Sequence, residues 1–421
     1  YSVSCHMLSL LNIFSASSMS SPKFAKSIGR KEVVALSFGA MIGWSWVLLT
    51  GDWLTRAGFL GTAIAFVIGG IAVILISLTY AELAAAMPKV GGEHVYTYRA
   101  LGFTASFITS WAIVMAYVNV CVFESAALPT ALEYLFPELR QGYLYTVEGS
   151  DVYASMVAIG IGGAVVMTFI NYIGIRFAAF VQTLVTGLFV IVGVLFLAGA
   201  LGFESQVEAG PLMKNGVTGM LTVLIMVPAL MVGFDVIPQS AEEINLPRDQ
   251  IGKMIVLSVC MAVLWYIAIT FAVGLSLSGE ELAMASVATA DAMSKTWGSE
   301  QAGALMIVAG IGGILTSWNA FIIGGSRVLY ALSESRMIPE IFSRVHPRYQ
   351  TPHVCVLFIG VLSCISPFFG RTVLVWLVDA GSFMIVVAYG FVAWAFIRLR
   401  KTEPAMERPF RVRFGTLVGY L

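Results

Sequence analysis

Charge is what this chain has least of. Only 11% of its 421 residues are Asp, Glu, Lys or Arg, and the formal net charge is zero, so no basic or acidic excess points to a nucleic-acid partner. The five cysteines are scattered, without CxxC spacing, and four of them (Cys121, Cys260, Cys355 and Cys364) fall in or beside apolar runs. They read as small packing residues, not as disulfides. Four equally dispersed histidines leave no basis for a metal site. There is no Walker-type glycine loop to cradle phosphates, no pairing of nucleophile and base and no soluble domain of any size, so ATP-driven transport and enzymatic catalysis are not expected and no cofactor is implied. What the chain has instead is 58% hydrophobic residues and a mean hydropathy of +0.88. That is the composition of an integral membrane protein.

Crossing a hydrocarbon core of roughly 30 Å takes about 20 apolar residues in a helix. Ten such runs are present, at 32–58, 59–87, 104–135, 152–174, 177–201, 216–240, 251–278, 302–332, 353–370 and 372–397, and an eleventh begins at 414. They form two sets of five. Residues 31–201 are expected to be a first repeat, 202–400 a second, and 401–421 a cytoplasmic connection leading into helix 11, with helices 11 and 12 missing or truncated in a fragment. With residues 1–30 as a disordered cytoplasmic tail, only Arg56, Arg140, Lys214, Lys295 and Arg371 of the 24 Lys and Arg lie outside. This follows the positive-inside rule for the plasma membrane. The apolar run 7–14 could pass for a weak signal peptide, but no basic residue precedes it and Lys23, Lys26, Arg30 and Lys31 follow it, so a disordered or translated upstream extension is expected. Five being odd, the second set enters the bilayer from the opposite side, which makes the sets inverted repeats.

Two spans are interrupted at matching places. Gly39-Ala40-Met41-Ile42-Gly43-Trp44-Ser45-Trp46 breaks span 1, and Ala229-Leu230-Met231-Val232-Gly233-Phe234-Asp235-Val236 breaks span 6. An unpaired backbone group in lipid costs several kcal/mol, so such breaks belong where they line a cavity or meet a ligand. Free amides near Gly43, Trp44 and Ser45 suit a carboxylate; free carbonyls of Ala229, Leu230 and Val232 suit an ammonium. Amino acids carry both groups.

Ionisable residues inside spans are functional candidates. Glu124 in span 3 and Asp235 at the span 6 break are the proton-coupling candidates; a bond from Glu124 to a neighbouring helix and a helix cap by Asp235 are the structural alternatives. Glu82, near the inner end of span 2, reads as half of an ion pair, and Asp52 with Arg56 as an outer i,i+4 bridge. Thr316 and Ser317, following Gly310 to Gly313 in span 8, are a candidate ion site or an interhelical hydrogen-bonding pair. The outer segment 278–301 reads as a lid or surface helix, and 88–102 as an amphipathic helix along the inner face.

At these residues the chain resembles the amino acid, polyamine and organocation transporter superfamily, from about residue 31 to 414. The resemblance rests on Gly39-Ala40-Met41-Ile42-Gly43; on Tyr80-Ala81-Glu82-Leu83 with Pro88-Lys89-Val90-Gly91-Gly92-Glu93-His94-Val95-Tyr96-Thr97-Tyr98; and on Gly233-Phe234-Asp235 with Ala241-Glu242-Glu243 and Pro247. It extends to Ser326-Arg327-Val328-Leu329-Tyr330-Ala331-Leu332 with Ile338-Pro339 and Thr351-Pro352, and to Arg408-Pro409-Phe410-Arg411-Val412. It implies an all-α five-plus-five inverted-repeat fold of the leucine-transporter type with discontinuous helices 1 and 6. The implied substrate-binding residues are Ala40, Met41, Ile42, Gly43, Trp44, Ser45, Ala229, Leu230, Val232, Gly233, Phe234 and Asp235. Two departures stand out: Trp44-Ser45-Trp46 brings bulk to a usually bare break, for a small pocket or a substrate stacked on an indole, and Phe189 occupies the place of a lysine that relays a proton or replaces sodium.

The expectation is therefore a secondary amino acid permease working by alternating access, by proton symport or exchange, with a neutral amino acid favoured. Its partners are an amino acid or amine, the lipid bilayer, and a proton or sodium ion. A polyamine or organic-cation transporter, and an amino acid sensor without net transport, are the alternatives.

Overall fold

The computed structural model describes Phe24 and residues 26–202, 212–370 and 372–421, with only the backbone of 372–380 and 382. The apolar run 7–14, most of the expected tail and Arg371 lie outside the described residues. Span 1 is built from α1 (Arg30–Ile42), α2 (Ser45–Leu48) and the start of α3 (Thr50–Ala86), which turns back at Gly58 (φ 72°, ψ 178°) and continues as span 2. The chain then forms α4 (Glu93–Leu101), α5 (Phe103–Leu135), α6 (Ala154–Tyr172) and α7 (Ile175–Gly202). Span 6 divides into α8 (Gly216–Leu230) and α9 (Val236–Gln239), followed by α10 (Arg248–Ser276), α11 (Gly279–Met284) and α12 (Ala288–Trp297). The last elements are α13 (Glu300–Glu334), α14 (His353–Ile365), α15 (Thr372–Thr402) and α16 (Gly415–Tyr420).

Among the described residues, seven helices are long and apolar enough to cross a membrane, and α8 and α14 are shorter apolar helices. The protein is a multi-pass membrane protein. Its packing pairs the two sets of spans. The most extensive contacts run between α3 and α10, α3 and α8, α5 and α13, and α5 and α15, with α6 against α14. Close approach depends on small residues: side chains at Gly69 and Gly70 of α3 would collide with Val227 of α8 and Val263 of α10.

Three connections differ from expectation. Between spans 3 and 4 a β-hairpin joins β1 (Tyr143–Val147) to β2 (Ser150–Tyr153). Its two-residue turn, Glu148-Gly149, has φ of 44° and 79°, the signature of a tight hairpin turn. The last stretch of the expected tail is docked: Ser27 and Ile28 donate backbone hydrogen bonds to the Glu243 carbonyl (2.9 and 3.0 Å), and Asn245 donates to Ile28 (2.9 Å). Helix α4 does form, but Glu93, His94, Tyr96 and Thr97 are buried in it, so it is inserted into the protein and does not merely rest on a face of it.

Segment 278–301 packs against the end of span 1. Ser278 and Glu281 form a capping box at the start of α11, and Lys295 reaches back to Glu281 at 2.7 Å. Thr289 donates to the Val47 carbonyl at 2.7 Å, and a side chain at Gly51 would strike Ala288. Helix α12 thus sits on the C-terminal half of span 1. At the opposite end Glu82, ion-paired as its sequence position implies, binds Arg400 and Arg408 and accepts the Val412 amide (2.8 Å). The exposed Asp52–Arg56 bridge is also present (2.8 Å), where solvent limits its worth to under about 1 kcal/mol.

Candidate functional site at the crossed helix breaks

Helix α1 stops because Gly43 takes φ 49° and ψ −148°, a conformation that residues with a Cβ rarely adopt. Among the described residues, neither the Gly43 nor the Trp44 amide meets a backbone acceptor. The carbonyls just before them are held. The Tyr266 hydroxyl on α10 lies 2.9 Å from Met41 O, 3.2 Å from Ile42 O and 2.7 Å from Ser45 Oγ. Having one proton, Tyr266 donates to a carbonyl and accepts from Ser45, so one hydroxyl spans both sides of the break. Tyr266→Phe is expected to weaken substrate binding about fivefold, the equivalent of a hydrogen bond worth about 1 kcal/mol. Equilibrium binding on the purified variant, alongside its melting temperature, measures this.

Helix α8 ends at Leu230, and Met231 to Asp235 form the second break. Val232 N–H turns back to Ala229 O at 3.4 Å, whereas the carbonyls of Leu230, Met231 and Val232 receive no backbone hydrogen bond among the described residues. Asp235 Oδ1 accepts the Gly233 amide at 2.9 Å, the cap considered from sequence, while its buried Oδ2 completes no bond. Gly233 has φ 131°, and a Cβ there would lie 2.6 Å from Ala40 Cβ and 2.9 Å from Met41 N. The two breaks therefore cross in contact, unpaired amides on one and unpaired carbonyls on the other.

Helix α13 supports the crossing. A side chain at Gly313 would overlap the Gly43 carbonyl oxygen, and one at Gly310 the Trp44 ring. The Trp44 indole is buried against this glycine face. Thr316 Oγ1 lies 3.0 Å from Gly39 O and from Gly313 O, and Ser317 donates to Glu124 Oε1. The hydroxyls expected at an ion site are thus engaged with protein atoms beside the break. Glu124 is bonded to a neighbouring helix, yet its Oε2 is buried without a partner. Ala40, Met41 and Ile42 form the buried lip that precedes the break, and Phe234 meets the Tyr80 ring edge-on at 5.3 Å and the Tyr389 ring at a tilt at 5.5 Å.

Phe189 packs among Phe38, Trp46 and Trp265, with ring centroids 6.0 to 6.2 Å apart. Polar contacts from α7 to span 1 are made instead by Gln182, whose amide donates to Ala35 O at 3.2 Å and accepts from Asn319 at 2.8 Å, and by Thr186, which donates to the same Ala35 O at 3.4 Å. Asn319 in turn accepts from Asn171. Sequence reasoning missed this chain of amides, as it missed Tyr266 and Glu93. Gln182 and Asn319 do stand out as uncharged polar residues deep in apolar runs, the one signal that marks them.

A bundle of apolar helices around two crossed, interrupted spans defines a membrane transporter. The chain belongs to the amino acid permease family, whose pattern, described as "Amino acid permease", matches residues 28–421. Among its relatives is the branched-chain amino acid permease BcaP of Bacillus subtilis (strain 168), 26% identical over 92% of this chain and 83% of that protein. A methylthioribose transporter of the same organism is 24% identical over 94% and 86%. The cationic amino acid transporter 4 of Mus musculus is 27% identical over 94% of this chain and 63% of its own length. Such relatives are transporters and permeases, not enzymes.

Proposed function

We propose that this protein is a secondary transporter of the plasma membrane, with a cytoplasmic N-terminus, that moves amino acids by alternating access at the crossing of spans 1 and 6. The substrate's carboxylate meets the Gly43 and Trp44 amides, with Ser45 at its side, and its ammonium meets the Leu230 and Val232 carbonyls. The observation that carries this reading is the contact of Gly233 with Ala40 and Met41, which joins unpaired donors to unpaired acceptors. The inverted repeat is supported by the pairing of span 2 with 7, 3 with 8 and 4 with 9. Apolar Ala40, Met41, Ile42 and Phe234 favour a neutral side chain. Asp235, at the crossing itself, and Glu124, which accepts from Ser317 beside it, are the proton candidates.

A second reading is favoured by Glu124 Oε2, a buried oxygen with no partner that would suit a basic side chain or a diamine. Proteoliposomes of the full-length protein test both readings. Uptake of radiolabelled neutral amino acids is expected under an inward proton gradient or with unlabelled amino acid inside. Dependence on sodium would move the coupling to Thr316 and Ser317. Competition by diamines alone would establish the second reading, and saturable binding without flux would make the protein a sensor.

A further inference from the structure

Beside the crossing lies a cluster of which the transport reading uses Asp235 alone. Glu93, on α4, is buried, and neither of its carboxylate oxygens completes a hydrogen bond. Among the described residues, it enters no ion pair. Asp235 is the charged neighbour that acts on it, and Asp235 Oδ2 is likewise unsatisfied. Tyr80 from α3, Tyr117 from α5 and Tyr389 from α15 each lie within electrostatic reach of both carboxyls, and Tyr96 within reach of Glu93. Tyr80 stands beside Glu93 and Tyr117 beside Asp235, yet these hydroxyls too are unsatisfied in the packed arrangement. No Lys or Arg is among the groups acting on either carboxyl.

Gln239 supplies an independent observation. It is fully buried with both carboxamide atoms unpaired, and a Cβ on Gly92, next to Glu93, would lie 3.2 Å from each of those atoms. The Gly91 amide meets the Gln239 carbonyl at 3.3 Å, so α4 and α9 are joined here. Native interiors seldom leave buried polar groups unpaired, and each instance calls for an explanation. Two neighbouring carboxyls in a low-dielectric interior with no cation beside them cannot both ionise. One proton between them removes the conflict and needs no extra volume.

We propose that Glu93 and Asp235 form a carboxyl pair that holds a single proton and passes it between the substrate crossing and the cytoplasmic side. The step is a transfer of H⁺ from the Asp235 O–H to the Glu93 carboxylate, leaving Asp235 ionised and Glu93 neutral, after which Glu93 releases the proton to cytoplasmic water. Tyr117 and Tyr80 are positioned to donate to whichever carboxyl is ionised. His94 takes no part: it faces away, bonded to Ser110 and Ser335, and burial lowers its pKa to about 4. Burial first, and the Asp235 charge second, hold the Glu93 carboxyl protonated well above the usual carboxylate range. The direction of transfer rests on the proposed cytoplasmic placement of α4; the pair itself does not.

Infrared titration of the purified full chain reads the pair without substrate. Loss of the protonated-carboxyl band is expected to move at least about one pH unit lower in Glu93→Gln, because the like-charged neighbour has gone. Tyr80→Phe, which removes a hydroxyl able to stabilise ionised Glu93, is expected to move it higher by a smaller amount. In proteoliposomes, with the labelled amino acid giving the largest uptake, Glu93→Gln should lose at least about tenfold of pH-driven accumulation while retaining exchange. An unmoved band in both variants, or full accumulation by Glu93→Gln, overturns the proposal. A wild-type protein that moves no amino acid but shows both band shifts would instead overturn the transport reading and leave the pair standing.

Discussion

Gly313→Ala is expected to lower substrate affinity about 10- to 100-fold. The new methyl would overlap the Gly43 carbonyl oxygen, a backbone atom that cannot rotate away, so either α13 or the span 1 break has to move. Overpacking of this kind usually costs about 1–3 kcal/mol, and here the displacement falls on the amides proposed to hold the carboxylate. Each 1.4 kcal/mol or so is a tenfold change in binding. The measurement is equilibrium binding and uptake by the reconstituted variant, with Gly312→Ala as control. A Cβ at Gly312 would meet the tip of Val185 at 3.2 Å and Phe189 Cβ at an ordinary 3.9 Å. Equal behaviour of the two variants would remove α13 as the support of the break.

Arg327→Ala should cost about 3–5 kcal/mol of stability, the usual effect of stranding one member of a buried ion pair. Arg327 and Glu243 are each 1% exposed and joined through two bonds of 3.0 Å. The pair ties α13 to the segment after α9, whose Glu243 carbonyl also holds Ser27 and Ile28. Its loss would release the three segments that meet there together. Thermal unfolding in detergent should show a large drop for Arg327→Ala and for Glu243→Ala. The double variant Arg327→Met/Glu243→Met should be much less affected, since neither charge is left uncompensated. Additive losses would mean that the two side chains act independently.

The legible part of the site was the backbone part. Gly43 and Gly233 announced the breaks because glycine inside an apolar run is where a helix can be interrupted, and both breaks stand where they were expected. Of the carbonyls named from sequence, Leu230 and Val232 are unpaired while Ala229 is taken by Val232, a difference set by the exact turn and invisible in residue types. Glu93 was hidden for another reason. Its neighbours Lys89, His94 and Arg99 give the segment the polarity of a surface helix, and nothing local tells that this face of α4 is pushed into the protein.

The membrane class, the ten runs, the two interruptions and the family follow from composition and order alone, because lipid demands long apolar helices and penalises every exception. The meeting of Gly233 with Ala40, the Tyr266 bridge, the Gln182–Asn319 chain and the Glu93–Asp235 pair join residues up to 225 positions apart. Such contacts arise from how helices pack, and packing depends on the shapes of whole surfaces. Only folding could bring these groups together.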